Sequence, residues 1–362
     1  MKPLNPSRIL LIKGHSAGIG DILRSSAAWR VLKNKWPNAE LHLVFFTREP
    51  GYSSEKLIRD HHLLSSCSVI DKRTKTWKEW RRFWKDVRAL TAQVRPDLVI
   101  DFESSGLRTS LVAMWCAWRW GAKTVGINTA PGRNLFYGRA SVSSKTFAAK
   151  RGMPWPMDYT ERDFVALSAL GLERAGCPIE LAETEAGTNF RLGLRRRLGL
   201  PPDARLLGLN IGCGTPGASN RRPSLPLLSK LIAHLQSTYG LQLVVGIGAP
   251  FEHPIDEEFL QIHRQNSDAP VIDLDGKVAL SELGGFIKSC SLFVSPDTGP
   301  YHMAVALRVP TLAVFNFYQY ESEHHHPWVR CVVAKNMDGL PKLIQAADEL
   351  MQYQMAGSPV AH

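Results

Sequence analysis

Residues 295–307 read SPDTGPYHMAVAL and bring an acid, a hydroxyl, a glycine and a histidine onto one short stretch. An apolar run (Ser291 to Val294) leads into it and a helical pattern leads out, so the stretch predicts a strand-to-helix turn. Such a turn aims free backbone N–H groups and the positive end of a helix dipole at one point, which suits a phosphate or pyrophosphate. Asp297 and Thr298 stand at the cap, Gly299 lets a ligand approach the backbone, and His302 falls about one turn into the helix. The plainer alternative is a capped helix start with a buried histidine.

A second candidate lies near the N-terminus, where KGHSAGIGDILRSS places Asp21 at a helix start after a glycine-rich turn. Gly18, Gly20 and Leu23 break the GxGxxG spacing, and no Gly-Lys-Ser/Thr follows. In GIGAPF, Phe251 occupies the third glycine position. Both common nucleotide fingerprints are therefore missing, which removes most support for a nicotinamide oxidoreductase or an ATPase. Asp21 remains as a helix cap or as a carboxylate held for chemistry.

The elements that must position these residues alternate between strand-like and helical patterns. Apolar runs at 9–13, 40–46, 67–71, 97–101, 205–211, 241–248, 291–295 and 311–315 are separated by helical stretches such as Asp21 to Lys35 and Leu225 to Tyr239. This order predicts an α/β chain with parallel sheets and crossover helices. The series breaks between about Val125 and Arg205, around an irregular stretch and a short helical pattern (Thr160 to Leu172). The chain is too long for one ordinary core, and the boundary is expected near residue 180. That gives domains at 1–180 and 181–336, each doubly wound and facing the other across a cleft, with a C-terminal helix and tail at 337–362.

Charge is divided unevenly. Residues 1–160 carry 27 Lys+Arg against 12 Asp+Glu, a net of +15, and the remainder carries a net of −4. A basic half suits an acidic partner. Nucleic acid rests on charge alone, since no aromatic RNA-binding signature or zinc-finger spacing is present. Six scattered cysteines without a CxxC pair read as reduced thiols and exclude the usual zinc spacings. No secretory signal or membrane span is evident, LVAMWCAW being too short, so the chain is expected in the cytoplasm.

The segment TKTWKEWRRFWKDVRALTAQV sets Trp77, Trp80, Trp84, Val87 and Val94 at helical spacing with Lys78, Arg81, Arg82, Lys85 and Arg88 around them. It predicts an amphipathic helix whose apolar stripe covers a sheet, whose edge tryptophans touch an anionic bilayer, or both. His324, His325 and His326 invite a metal reading, but neighbouring side chains rarely converge on one ion, and a loop lining the cleft is expected instead.

Taken together, KGHSAGIGDILRSSAAWRVLKNKWPNAELHLV, GIGAPFEH and SPDTGPYHMAVALRVPTLAVF resemble the ADP-heptose:lipopolysaccharide heptosyltransferases of glycosyltransferase family 9, in order and at plausible distances. DLVIDFESSGLRTSLVAMW is similar to a further segment of that family. The resemblance implies two Rossmann-like domains of the GT-B type, an acceptor site in the first and a nucleotide-sugar site in the second. It also implies inverting transfer without a metal or other cofactor. Asp21 matches the family's general base; Asp297, Thr298, Gly299 and His302 match its donor block. Arg221, in preference to Arg222, falls at its phosphate-gripping basic residue, and Glu252 at the acidic position facing ribose hydroxyls. Lys13, Arg81 and Arg82 are the expected contacts of an anionic, lipid-linked inner-core acceptor, with peripheral contact at the inner membrane. After TLAVF the chain departs from the family's usual Gly-Pro-Thr turn and reads NFYQYESEHHHPW.

The expected activity is transfer of heptose or a related sugar, from ADP-heptose or a similar donor, to an anionic lipopolysaccharide core. The alternatives are a non-catalytic sugar-nucleotide or glycan binder and a transferase acting on a protein or another glycan.

Overall fold

The computed structural model describes residues 4–14, 18–48, 50–51, 53–129, 132–212, 220–248 and 252–356. Cys213, Phe251 and the middle of the loop from Lys13 to Asp21 lie outside them. The chain divides into two compact units, 1–179 and 180–362.

The first unit begins β1 (Arg8–Lys13), α1 (Ile19–Lys35), β2 (Glu40–Thr47), α2 (Ser53–Ile58), β3 (Ser66–Asp71) and α3 (Trp77–Val94). It continues with β4 (Leu98–Asp101), α4 (Leu107–Trp120), β5 (Lys123–Ile127), β6 (Arg139–Ser141), α5 (Ser144–Lys150) and α6 (Arg162–Leu167). Its six strands are ordered β3-β2-β1-β4-β5-β6, with every neighbouring pair parallel. Ile9 to Ile12 of the central strand are wholly buried because helices cover both faces of the sheet. On one face, Phe83 and Val87 of α3 and Val112, Ala113 and Cys116 of α4 join Leu10, Ile12, Val44 and Val99 in one core. The start of α3 is fixed by a capping box, in which Glu79 N–H donates to the Thr76 hydroxyl and Thr76 N–H to the Glu79 carboxylate.

The second unit opens with α7 (Glu185–Arg197), β7 (Leu206–Leu209), α8 (Leu225–Tyr239), β8 (Gln242–Val245), α9 (His253–Arg264) and β9 (Val271–Asp273). It closes with α10 (Leu280–Ser289), β10 (Cys290–Ser295), α11 (Gly299–Ala306), β11 (Thr311–Phe315), β12 (Val329–Val333) and α12 (Leu340–Met355). The order β12-β11-β10-β7-β8-β9 repeats that of the first sheet when the strands are counted within the unit. α12 buries Leu343, Ala347, Leu350 and Met351 in this unit's core with α8 and the sheet.

Four strands go beyond those read from the sequence. β6, β9 and β12 are edge strands, short or only partly buried, and β5 lies next to an edge. The expected break in the series is itself ordered: it holds β6, α5, α6 and α7, and α6 is a short helix flanked by 3-10 turns at Tyr159–Glu161 and Ser168–Leu170. Among the described residues Cys67, Cys116, Cys290 and Cys331 are free thiols.

Candidate functional site

In the first unit the sheet changes winding direction between β1 and β4, and the chain leaves a crevice beyond their C-terminal ends, the usual ligand position in such sheets. A cavity of about 400 Å³ lies there. Gly14 follows β1, and its N–H donates to Glu103 Oε1 at 2.7 Å. A Cβ on Gly14 would sit 2.3 Å from Glu103 Cδ, so only glycine leaves room for this clamp. Lys72 Nζ donates to the Gly14 carbonyl.

Asp21 lies in the first turn of α1 with its side chain 46% exposed, and it lines the cavity. Arg24 Nη1 stands 3.8 Å from its Oδ1, too far for a hydrogen bond, so the carboxylate is attracted but not held by that guanidinium. Lys13, at the end of β1, donates to Asp163 Oδ1 at 2.7 Å within a mostly buried pair. The cavity wall also includes Ser25, Trp155, Tyr159 and Arg162, and the Arg162 guanidinium lies 3.5 Å from the Tyr159 ring centroid. Three carboxylates (Asp21, Glu103, Asp163) thus face two cations, so the basic charge of this half is not concentrated in its cavity. Arg81 and Arg82 are on α3 and do not line it; Arg82 Nη2 donates to Asp71 Oδ2 at 2.8 Å.

Beneath the cavity, Asp101 at the end of β4 is fully buried and accepts from Tyr137 Oη at 2.6 Å and Arg133 Nη2 at 3.2 Å. Burial pushes its pKa up to about 6, although Tyr137 and Arg133 pull the other way. Arg133 also donates to the carbonyls of Glu103 and Ile127, tying the chain after β5 to the chain after β4.

The second unit carries its polar cluster at the equivalent point, between β7 and β10. Asn210 Nδ2 donates toward the Gly212 carbonyl at 3.2 Å, Ser295 Oγ at 3.1 Å and Thr298 Oγ1 at 3.0 Å. Thr298 is the N-cap residue of α11, but its hydroxyl turns to Asn210 and makes no cap bond to the helix. The first turn of α11 is therefore left without a side-chain cap, the arrangement that favours an anion.

Asp297, expected as a cap, is a buried clamp. Arg221 Nη1 donates to its Oδ2 at 3.1 Å, and His302 Nε2 lies 3.3 Å from its Oδ1. Arg221 remains 43% exposed, so this guanidinium is anchored at one nitrogen and open elsewhere. Asn316, just after β11, donates to the Asn220 carbonyl at 2.7 Å and so supports the segment that carries Arg221.

The expectation of a histidine loop needs correction at His324. That residue is buried, with Nε2 3.0 Å from His302 Nδ1, and Tyr301 Oη donates to the Ser322 carbonyl at 3.2 Å. His326 stacks on Trp328 with parallel rings 4.6 Å apart. The segment that departs from the family's turn is thus pinned to α11. Among the described residues no group of three or more His, Cys, Asp or Glu is placed to hold a metal ion.

Glu252, the N-cap residue of α9, is buried with its carboxylate against two glycines. A Cβ on Gly212 would lie 2.0 Å from its Oε1, and one on Gly248 would lie 2.8 Å from Oε2. One turn on, Asp256 is raised to about 7 by burial and by the nearby Asp273 and Glu252 carboxylates.

Residues 228–334 match the model of glycosyltransferase family 9 (heptosyltransferase). A lipopolysaccharide heptosyltransferase 1 of Campylobacter coli is 22% identical over 307 residues, covering 83% of this chain and 81% of that protein. Over that segment the chain is similar to glycosyltransferase family 9. A family 9 glycosyltransferase of Veillonella parvula superposes with a TM-score of 0.72 at 18% identity, covering 96% of this chain and 98% of that one. The ADP-heptose lps heptosyltransferase II of E. coli does so with a TM-score of 0.67 at 17% identity, covering 96% and 99%. At such identities the superpositions establish the GT-B fold.

The part that matches family 9 holds Glu252, Asp297, Thr298, Gly299, His302 and His324; Lys13, Asp21 and Arg221 lie before it. Asp163, Ser25, Trp155 and Asn210 were missed in the sequence. Asp163 had a usable signal, as an acid inside the apolar pattern of Thr160 to Leu172, whereas Asn210 reaches its partners only through strand order.

Proposed function

We propose that the protein is an inverting, metal-independent glycosyltransferase. It moves heptose or a related sugar from a nucleotide-sugar donor, ADP-heptose, to a hydroxyl of an anionic, lipid-linked lipopolysaccharide inner-core acceptor. The observation that carries this reading is Asp21, a half-exposed carboxylate opening into a cavity at the switch point of the first sheet.

In the proposed reaction Asp21 takes the proton of the acceptor hydroxyl as that oxygen attacks the anomeric carbon. The bond from that carbon to the diphosphate oxygen breaks on the opposite side, which inverts the centre. The N–H groups at the start of α11 and the open side of Arg221 stabilise the charge of the departing diphosphate. Glu252 accepts from ribose hydroxyls. His302 and Asp297 hold the turn and Arg221 in place, and no step calls for a divalent ion because the guanidinium and helix start supply the positive charge.

The N-terminal unit is proposed as the acceptor domain and the C-terminal unit as the donor domain, working at the cytoplasmic face of the inner membrane. No helix among the described residues is long and apolar enough to cross a membrane. Asp21→Asn, assayed with ADP-heptose and core acceptor in the presence of EDTA, should lower turnover by about 10²- to 10⁴-fold. The wild-type rate should survive the chelator. Near-normal turnover by the variant would remove Asp21 from the mechanism, and loss of wild-type activity that a divalent ion restores would overturn metal independence.

A further inference from the structure

α4 was too short to span a bilayer, and its structure gives it another use. Leu107, Leu111, Met114 and Trp118 are spaced i, i+4, i+7 and i+11, which sets them on one line along the helix. This line points away from the core, whose contacts come from Val112, Ala113 and Cys116. Leu107 is 61% exposed, Met114 44% and Trp118 75%. α4 carries no acidic residue, and Arg108 and Arg119 flank the stripe.

α3 continues this face. Trp84 packs edge-on against Trp115 of α4 at 6.0 Å, Trp115 meets Trp118 at 5.2 Å, and the Arg88 guanidinium lies 5.3 Å from the Trp115 ring centroid. The outer side of α3 presents Trp77, 73% exposed, together with exposed Lys78, Arg81, Lys85 and Arg88. A groove of about 820 Å³ bordered by these cations runs beside it. An uninterrupted apolar line next to a row of cations, with tryptophans at the seam, matches a surface whose outer layer is anionic and whose interior is apolar.

We infer that the paired outer faces of α3 and α4 dock the protein on an anionic phospholipid bilayer, with the α4 stripe entering the interface and the α3 cations on the headgroups. The inference deepens the acceptor reading above, since it rests on a lipid-linked acceptor. It moves the apolar contact from α3, whose Phe83 and Val87 are committed to the core, to α4.

The experiment is co-sedimentation of the full chain with extruded vesicles of phosphatidylglycerol and phosphatidylcholine, or of phosphatidylcholine alone. Thermal unfolding and ADP titration serve as controls for folding. Wild type should bind the anionic vesicles at least about tenfold more strongly than the neutral ones, since each basic residue near an anionic surface adds attraction. Met114→Glu with Trp118→Glu should reduce binding to anionic vesicles about tenfold or more while the controls are unchanged. Arg81→Glu with Lys85→Glu should abolish the preference for anionic lipid. Wild-type binding by the α4 double variant, equal binding to both vesicle types, or no vesicle binding would overturn the inference. So would a dimer that the α4 variant splits, or single-stranded DNA bound as tightly as the anionic vesicles. Wild type that binds no vesicles yet transfers to a lipid-free core acceptor would refute docking alone; wild type without transfer would refute the functional reading.

Discussion

The two units share one strand order, and in both the polar cluster lies where the first and fourth strands part, yet they use that position in opposite ways. In each, a glycine after the first strand yields the place of its Cβ to a glutamate carboxylate, Glu103 at Gly14 and Glu252 at Gly212. Beyond that the first unit keeps a cavity with an accessible carboxylate and a mixed charge balance. The second fills the same position with the buried Asp297, His302 and His324, joined to a partly exposed Arg221, under an uncapped helix start. The side chains at that place decide whether it stays an open cavity, the proposed reaction chamber, or becomes a packed polar cluster, the proposed anion cradle.

Arg221→Ala tests the cradle most severely. Loss of a charge-assisted contact to diphosphate should raise the donor KM about 10- to 100-fold in initial-rate measurements, with a smaller effect for Arg222→Ala. An equal or larger effect at Arg222 would reverse the choice between them.

Salt should separate the units less sharply. Raising ionic strength from about 0.01 to about 0.15 M shortens the screening length from about 30 to about 8 Å. The acceptor KM should rise several-fold, because the proposed acceptor domain offers exposed cations to its anionic groups, while the donor KM changes less. Equal sensitivity of both constants would erase the distinction.

The smallest expected effect is on stability. Asp256 has a folded pKa raised from 3.8 to about 7, so the folded state takes up a proton between those values that the unfolded chain releases. Its contribution is most favourable at low pH and is lost as pH rises through about 7. Asp256→Asn should therefore raise Tm by a degree or two, roughly, at pH 8 and not at pH 4. A shift of the same size at both pH values would show that ionisation is not its cause.

Much of this was legible in the sequence, because buried central strands are continuous apolar runs and the β10 to α11 turn has its chemistry in adjacent residues. What escaped reading depends on distant parts of the chain. The edge strands β6, β9 and β12 need few apolar residues, having a neighbour on one side only. Asp163 meets Lys13 only because α6 returns to the end of β1. The His324 to His326 run was visible, but its meaning came from Tyr301 and His302, which draw it onto α11. The basic charge of the first half was legible as a total, while the position of its α3 cations outside the cavity required the fold.

The division of labour between the units is tested most directly by calorimetric titration of ADP into wild type, Asp21→Asn and Asp297→Asn. Asp21→Asn should bind ADP with the wild-type Kd, because the role proposed for that carboxylate is toward the acceptor hydroxyl alone. Asp297→Asn should fold and bind about tenfold or more weakly, because Arg221 and His302 lose the charge that holds them. An Asp21→Asn protein that loses ADP affinity as severely as Asp297→Asn, or an Asp297→Asn protein with unchanged affinity, would contradict the account.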